Sequence, residues 1–223
     1  MSTPIRAVPP RARPLASRAL FGFGTGIGLG AALGALAWLA DQLQDPWGAL
    51  IPANTIGVWL GLAFLLGASA KTVPTGALRG LVGLLSGVAA YYALISIFAV
   101  GFRVIGASHA ATTWGAVALV AGPLFGAAGG AWRHWDGNRR AFAVGLLGAS
   151  LIAEGVAFGK LRTGDAVAVF YLVEIAIGLL LPIFLLRLRE RLAGYGATVV
   201  LAAAMAIAIE PVTAVVRSIA DRF

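Results

Sequence analysis

A chain of 223 residues in which 60% are hydrophobic and only 12% charged has too few polar side chains to clothe a water-soluble globule. Its solvent is expected to be lipid. At roughly 20 apolar residues per spanning helix, the length holds six or seven spans and leaves nothing for a soluble catalytic domain. The formal charge of +8 is spread over basic residues scattered in small groups between apolar runs, which argues against a nucleic-acid-binding patch. The lack of cysteine excludes disulfides, thiolate metal sites and a cysteine nucleophile.

Residues 1–19 interleave Pro4, Pro9, Pro10 and Pro14 with Arg6, Arg11, Arg13 and Arg18, a composition that buries no apolar surface and predicts a disordered cytoplasmic tail. The apolar run from Phe21 to Ala40 is longer than a signal-peptide core, which predicts an uncleaved first helix. Apolar stretches then recur, giving predicted spans at about 21–40, 53–70, 80–101, 112–131, 141–159, 166–186 and 192–216. They are apolar all round instead of alternating, so they exclude the strands of a membrane barrel. The prediction is an all-α polytopic bundle of seven transmembrane helices, with residues 20–223 forming one domain.

Basic residues set the orientation, because cytoplasmic loops retain them. With the N-terminus inside, the inner segments hold Arg6, Arg11, Arg13, Arg18, Lys71, Arg79, Arg133, Arg139, Arg140, Arg187, Arg189 and Arg191, whereas the outer segments hold Arg103, Lys160, Arg162, Arg217 and Arg222. That imbalance predicts the N-terminus in and the C-terminus out. It also requires the short second span, which opens with Pro52 and Asn54, to cross the membrane. Trp47, Trp114, Trp132 and Trp135 fall near predicted span ends, where indole rings settle at the headgroup level. Gly22, Gly26, Gly30 and Gly34 form a ridge along the first helix, and Gly122, Gly126 and Gly130 form one on the fourth. Such ridges allow close helix packing, either inside the monomer or against a second copy or a membrane partner subunit.

Three carboxylates stand within apolar spans: Glu154, Glu174 and Glu210. A charged side chain at the bilayer centre costs about 2.5–3.5 kcal/mol even on the lenient insertion scale, so these groups are expected to point into the bundle. At about 1.5 Å per residue, the predicted topology carries all three to a similar depth in the outer half. Asn54, Tyr91 and Tyr92 are further polar positions within the spans. Together these six residues are the candidate site for a small solute, a cation or a proton, through charge pairing and cation–π contact. The alternative is that the glutamates only hold helices together in a structural or interaction subunit.

Catalysis is not expected. Gly106-Ala107-Ser108 resembles a rhomboid nucleophile turn only superficially, since His109 adjoins Ser108 and the other histidine, His134, falls on an inner loop. Two histidines without cysteine make no zinc site, and no metal or other cofactor is expected.

The ordered landmarks Ile51-Pro52-Ala53-Asn54-Thr55, Trp59, Ala63-Phe64-Leu65-Leu66-Gly67, Tyr91-Tyr92, Trp114, Ala121-Gly122-Pro123-Leu124-Phe125-Gly126 and Ala153-Glu154 resemble a family of bacterial multi-pass membrane proteins known as a domain of unknown function. The resemblance covers roughly residues 20–190. It implies a bacterial plasma membrane and no particular activity, and of the three carboxylates it touches Glu154 alone.

Overall fold

The computed structural model describes residues 15–43, 53, 55–98, 103–159 and 165–220, with side chains described over 22–43, 53, 55–98, 110–157 and 169–207. Among the described residues the fold is all-helical. The seven helices are α1 (Leu15–Gln42), α2 (Ile56–Ala68), α3 (Val73–Phe98), α4 (Arg103–His134), α5 (Asn138–Gly159), α6 (Asp165–Leu185) and α7 (Leu188–Ala220). Each predicted span corresponds to one helix. Five described stretches are long and apolar enough to cross a membrane: Gly22–Gln42, Val73–Phe98, Ala110–His134, Asn138–Ala157 and Leu188–Ile207. Helices of this kind suit a membrane-embedded protein.

The boundaries differ where hydropathy and helix formation part company. Helix α1 begins at Leu15, inside the stretch predicted as tail, and residues 1–14 lie outside the described residues. Helix α4 begins at Arg103, so the Ser108-His109 pair sits on a helix and not in the predicted loop. Nothing in that segment forbids helix, and polarity alone does not end one. In the other direction α2 is only 13 residues long.

Two sub-bundles make up the molecule. In the first, α3 packs against α1 on one side and α4 on the other, and α2 lies against both α3 and α4; in the second, α5 packs against α6 and α7. The interface between α4 and α5, together with contacts from α2 to α5, joins them. Helix α2 is the hub. Its Leu60, Ala63 and Phe64 form the main core with Leu84 of α3, Ala118 and Phe125 of α4, and Leu146 and Leu147 of α5.

Glycine makes the first sub-bundle tight. A Cβ on Gly30 would lie 2.0 Å from the Gly83 carbonyl oxygen, and one on Gly34 would lie 2.1 Å from that of Gly87. The α1 ridge therefore meets a second ridge on α3. The opposite side of α3 does the same to α4: Gly126 adjoins Gly76 and Gly80, Gly122 adjoins Leu81, and Gly130 abuts Val73. Gly26 stands in ordinary contact with Leu66 and the Arg79 backbone, and Gly22 leaves room for the Arg79 guanidinium. Both ridges named in the sequence thus have neighbours within the same chain.

The end carrying the α2–α3, α4–α5 and α6–α7 connections is basic and ordered by specific bonds. Arg79, expected in a loop, is instead buried in the second turn of α3, and its Nη1 donates to the carbonyl and hydroxyl of Ser69. Gly137 adopts φ 63°, the left-handed conformation that lets the chain reverse between α4 and α5. Its N–H donates to the buried Glu190, which also accepts the Arg187 N–H. Trp132 donates its indole N–H to the Leu185 carbonyl at 3.0 Å, and Arg191 donates to the Ile183 carbonyl at 2.9 Å, so both cap the C-terminus of α6. These bonds clamp the two sub-bundles at this end.

Candidate functional site

At the opposite end the junction is made by carboxylates. Thr55 precedes α2 in an extended conformation and would ordinarily cap the helix with its hydroxyl, yet it makes no such bond. Glu154 of α5 caps it instead. Its Oε1 accepts the Ile56 N–H at 2.7 Å and its Oε2 accepts the Gly57 N–H at 2.5 Å. Two amides orphaned at a helix start are thereby satisfied, and the negative charge sits on the positive end of the helix dipole.

Glu174 of α6 approaches the same turn. The Thr55 side chain hydrogen-bonds to it, and a Cβ on Gly57 would lie 3.2 Å from Glu174 Oε1 and 3.3 Å from Glu154 Oε2. Both carboxylates therefore converge on one point of the α2 backbone, which glycine leaves open. Glu154 is 7% and Glu174 4% exposed, and Glu174 Oε2 is buried without a hydrogen-bond partner. Neither carboxylate pairs with a lysine or arginine among the described residues.

In front of this turn lies a cavity of about 280 Å³ bounded by α1, α2, α3 and α4. Its polar and aromatic lining is Asp41, Thr55, Trp59, Tyr91, Tyr92 and Trp114. Tyr91 donates its hydroxyl proton to Asp41 Oδ2 in a short hydrogen bond, and its ring meets that of Tyr92 edge-on at 4.9 Å. Trp59 is held by its indole N–H on the Ala53 carbonyl at 2.7 Å. Asp41 lies in the last turn of α1, where the negative end of a helix dipole adds to the carboxylate. Glu154 offsets the positive end of α2, and Asp41 is the carboxylate on the cavity wall.

Four of the six candidates from the sequence are distributed over two adjoining places. Glu154 and Glu174 meet behind the first turn of α2, whereas Tyr91 and Tyr92 line the cavity in front of it. Asn54 lies outside the described residues; Glu210 is on α7, and its side chain also lies outside them. Asp41, Thr55, Gly57 and Trp59 are not among the six candidates, although Thr55 and Trp59 are among the sequence landmarks. Asp41 falls one residue past the predicted first span, and its signal in the sequence is an aspartate at a span end together with the Tyr91-Tyr92 pair.

A family of unknown function, DUF6518, matches residues 13–217. The chain belongs to that family. The matched region takes in all the described side chains and therefore the cavity, the carboxylate pair and the basic end. The comparisons with curated proteins and with solved structures give no match.

Proposed function

We propose that this DUF6518 member is a seven-span membrane protein, N-terminus inside and C-terminus outside, that binds a small organic cation in the cavity between α1 and α4 for recognition or transport. Residues 166–186 supply the sixth span and α2 the second. At 1.5 Å per residue α2 reaches only about 20 Å, less than the roughly 30 Å of hydrocarbon, so one end must lie below the surface. Unsatisfied amides at that depth would cost several kcal/mol, and Glu154 meets this requirement at the α2 start. The orientation rests on charge: Lys71, Arg133, Arg139, Arg140, Arg187 and Arg189 gather at the end carrying the α2–α3, α4–α5 and α6–α7 connections. The sequence resemblance adds a bacterial plasma membrane as the setting.

The observation that carries the function is the Asp41 carboxylate set among Trp59, Tyr91, Tyr92 and Trp114 around one cavity. Aromatic faces attract quaternary or alkylated ammonium groups by about 0.5–2 kcal/mol each, and the carboxylate supplies the countercharge. The volume suits a ligand of a few heavy atoms. In this reading the protein binds and does not catalyse, and no cofactor takes part. A partner subunit would have to dock away from the two glycine ridges, since neighbouring helices occupy them.

The test is thermal unfolding of the purified protein in detergent with a series of quaternary ammonium ions and their uncharged isosteres. Stabilisation by tetramethylammonium and choline, but not by the neutral compounds, supports the reading. Equal effects of charged and neutral members refute it.

A further inference from the structure

We infer that Glu174 holds an exchangeable proton against the first turn of α2 and releases it toward the cavity through Thr55, linking cation binding to proton release. The linkage rests on the cation reading above; the proton assignment stands on the carboxylate geometry alone.

Glu154 uses both oxygens as acceptors for backbone N–H groups, so each of its oxygens already has a partner. Glu174 converges on the same backbone point and is also buried, but its Oε2 has no hydrogen-bond partner. Two adjacent anions in an apolar setting without a countercation among the described side chains repel strongly, and one proton on the pair removes the second charge. The orphaned Oε2 of Glu174 is the place for it.

The surroundings offer no competing charge among the described side chains. From α5 the group faces Glu154, and from α2 it faces Thr55 and no ionisable residue. Its own helix presents the buried Tyr171, and α7 through Ile207 places Arg189, Glu190, Arg191 and Tyr195 at the far end of the bundle. Arg139 and Arg140 lie at the opposite end of α5 from Glu154. Lys160, Arg162, Asp165 and Glu210 lie outside the described side chains.

Thr55 connects the pair to the cavity, because its side chain hydrogen-bonds to Glu174 and the residue is part of the cavity wall. Once the Glu174 carboxyl rotates toward it, the Glu174 O–H bond breaks as Thr55 accepts that proton and passes its own to a water in the cavity. Glu174 becomes a carboxylate. A cation entering the cavity favours this state, because one positive charge arrives as another leaves. Reciprocity then requires that raising pH tighten cation binding, by up to about tenfold per pH unit while Glu174 titrates.

Two measurements on the full chain test this. Infrared spectra at neutral pH should contain the carbonyl band of a protonated carboxylic acid, lost in Glu174→Gln and kept in Asp41→Asn. A band that is absent from the wild type, or that persists in Glu174→Gln, overturns the proton assignment. Calorimetric titration of choline in buffers of different ionisation enthalpy should report proton release on binding, abolished in Glu174→Gln. Choline binding without proton release overturns the linkage. Failure of choline to bind at any pH, with the infrared band intact, overturns the cation reading and the linkage while supporting the proton assignment.

Discussion

Glu154 holds the Gly57 N–H at 2.5 Å across a sequence separation of 97 residues, so a buried carboxylate on one sub-bundle starts the central helix of the other. A buried glutamate on an apolar helix is thereby accounted for by backbone chemistry. Replacing it with Gln keeps the shape, removes the charge and brings an amide NH₂ against backbone donors. Glu154→Gln should cost about 2 kcal/mol, and Glu154→Ala more, because each orphaned amide loses a charge-assisted bond. Thermal unfolding in detergent checks this, and a transition unchanged by either substitution would contradict it.

The glycine ridges make a contrast within one helix. Gly30→Ala and Gly34→Ala would each drive a Cβ to about the position of an α3 carbonyl, where a Cβ on Gly30 lies 2.0 Å from the Gly83 oxygen. Such overpacking costs about 1–3 kcal/mol. Gly24 and Gly28, with no atom within 4 Å of a Cβ, should accept Ala or Leu. Size-exclusion profiles and unfolding temperatures of the four Ala variants should separate into these two pairs.

How much of this was open to reading from the sequence depends on the range of the interaction. The seven helices follow from apolar runs, which are local, and so does the anomaly of Glu154 and Glu174 within them. The partner of Glu154 was not legible, because nothing near Ile56 and Gly57 marks their amides as uncapped except that Thr55 could have capped them itself. The α3 ridge of Gly76, Gly80, Gly83 and Gly87 was missed because its spacing breaks from four to three, and that break lets it face α4 with one pair and α1 with the other. Asp41 lies just past the predicted first span, where hydropathy gives it no role. Only packing reveals that α1 ends where Tyr91 can reach it.

At the basic end, Gly137 and Glu190 act together. Gly137→Ala forces a side chain into the left-handed region at a cost of roughly 1–2 kcal/mol. Glu190→Ala frees the Gly137 and Arg187 amides and leaves Arg140 beside a lost partner at 4.0 Å. Both variants should open the α4–α5 connection, read as faster proteolysis there. Cleavage unchanged in both would show that the clamp does not hold this end.

The chain has no cysteine, so single cysteines report topology cleanly. Asp136→Cys should react with a membrane-impermeant maleimide only after the cells are opened, and a cysteine at Gln42 should react from outside intact cells. Labelling in the reverse pattern would overturn the orientation.

The central claim is that the cavity chooses its ligand by charge, with Asp41 as the countercharge. The most direct measurement is the ratio of dissociation constants for choline and its uncharged carbon isostere, 3,3-dimethylbutanol, in the wild type and in Asp41→Asn. The account predicts that choline binds the wild type at least about tenfold more tightly, a difference of about 1.4 kcal/mol, and that the ratio collapses toward unity in Asp41→Asn. A ratio near unity in the wild type, or one that survives in Asp41→Asn, would contradict it.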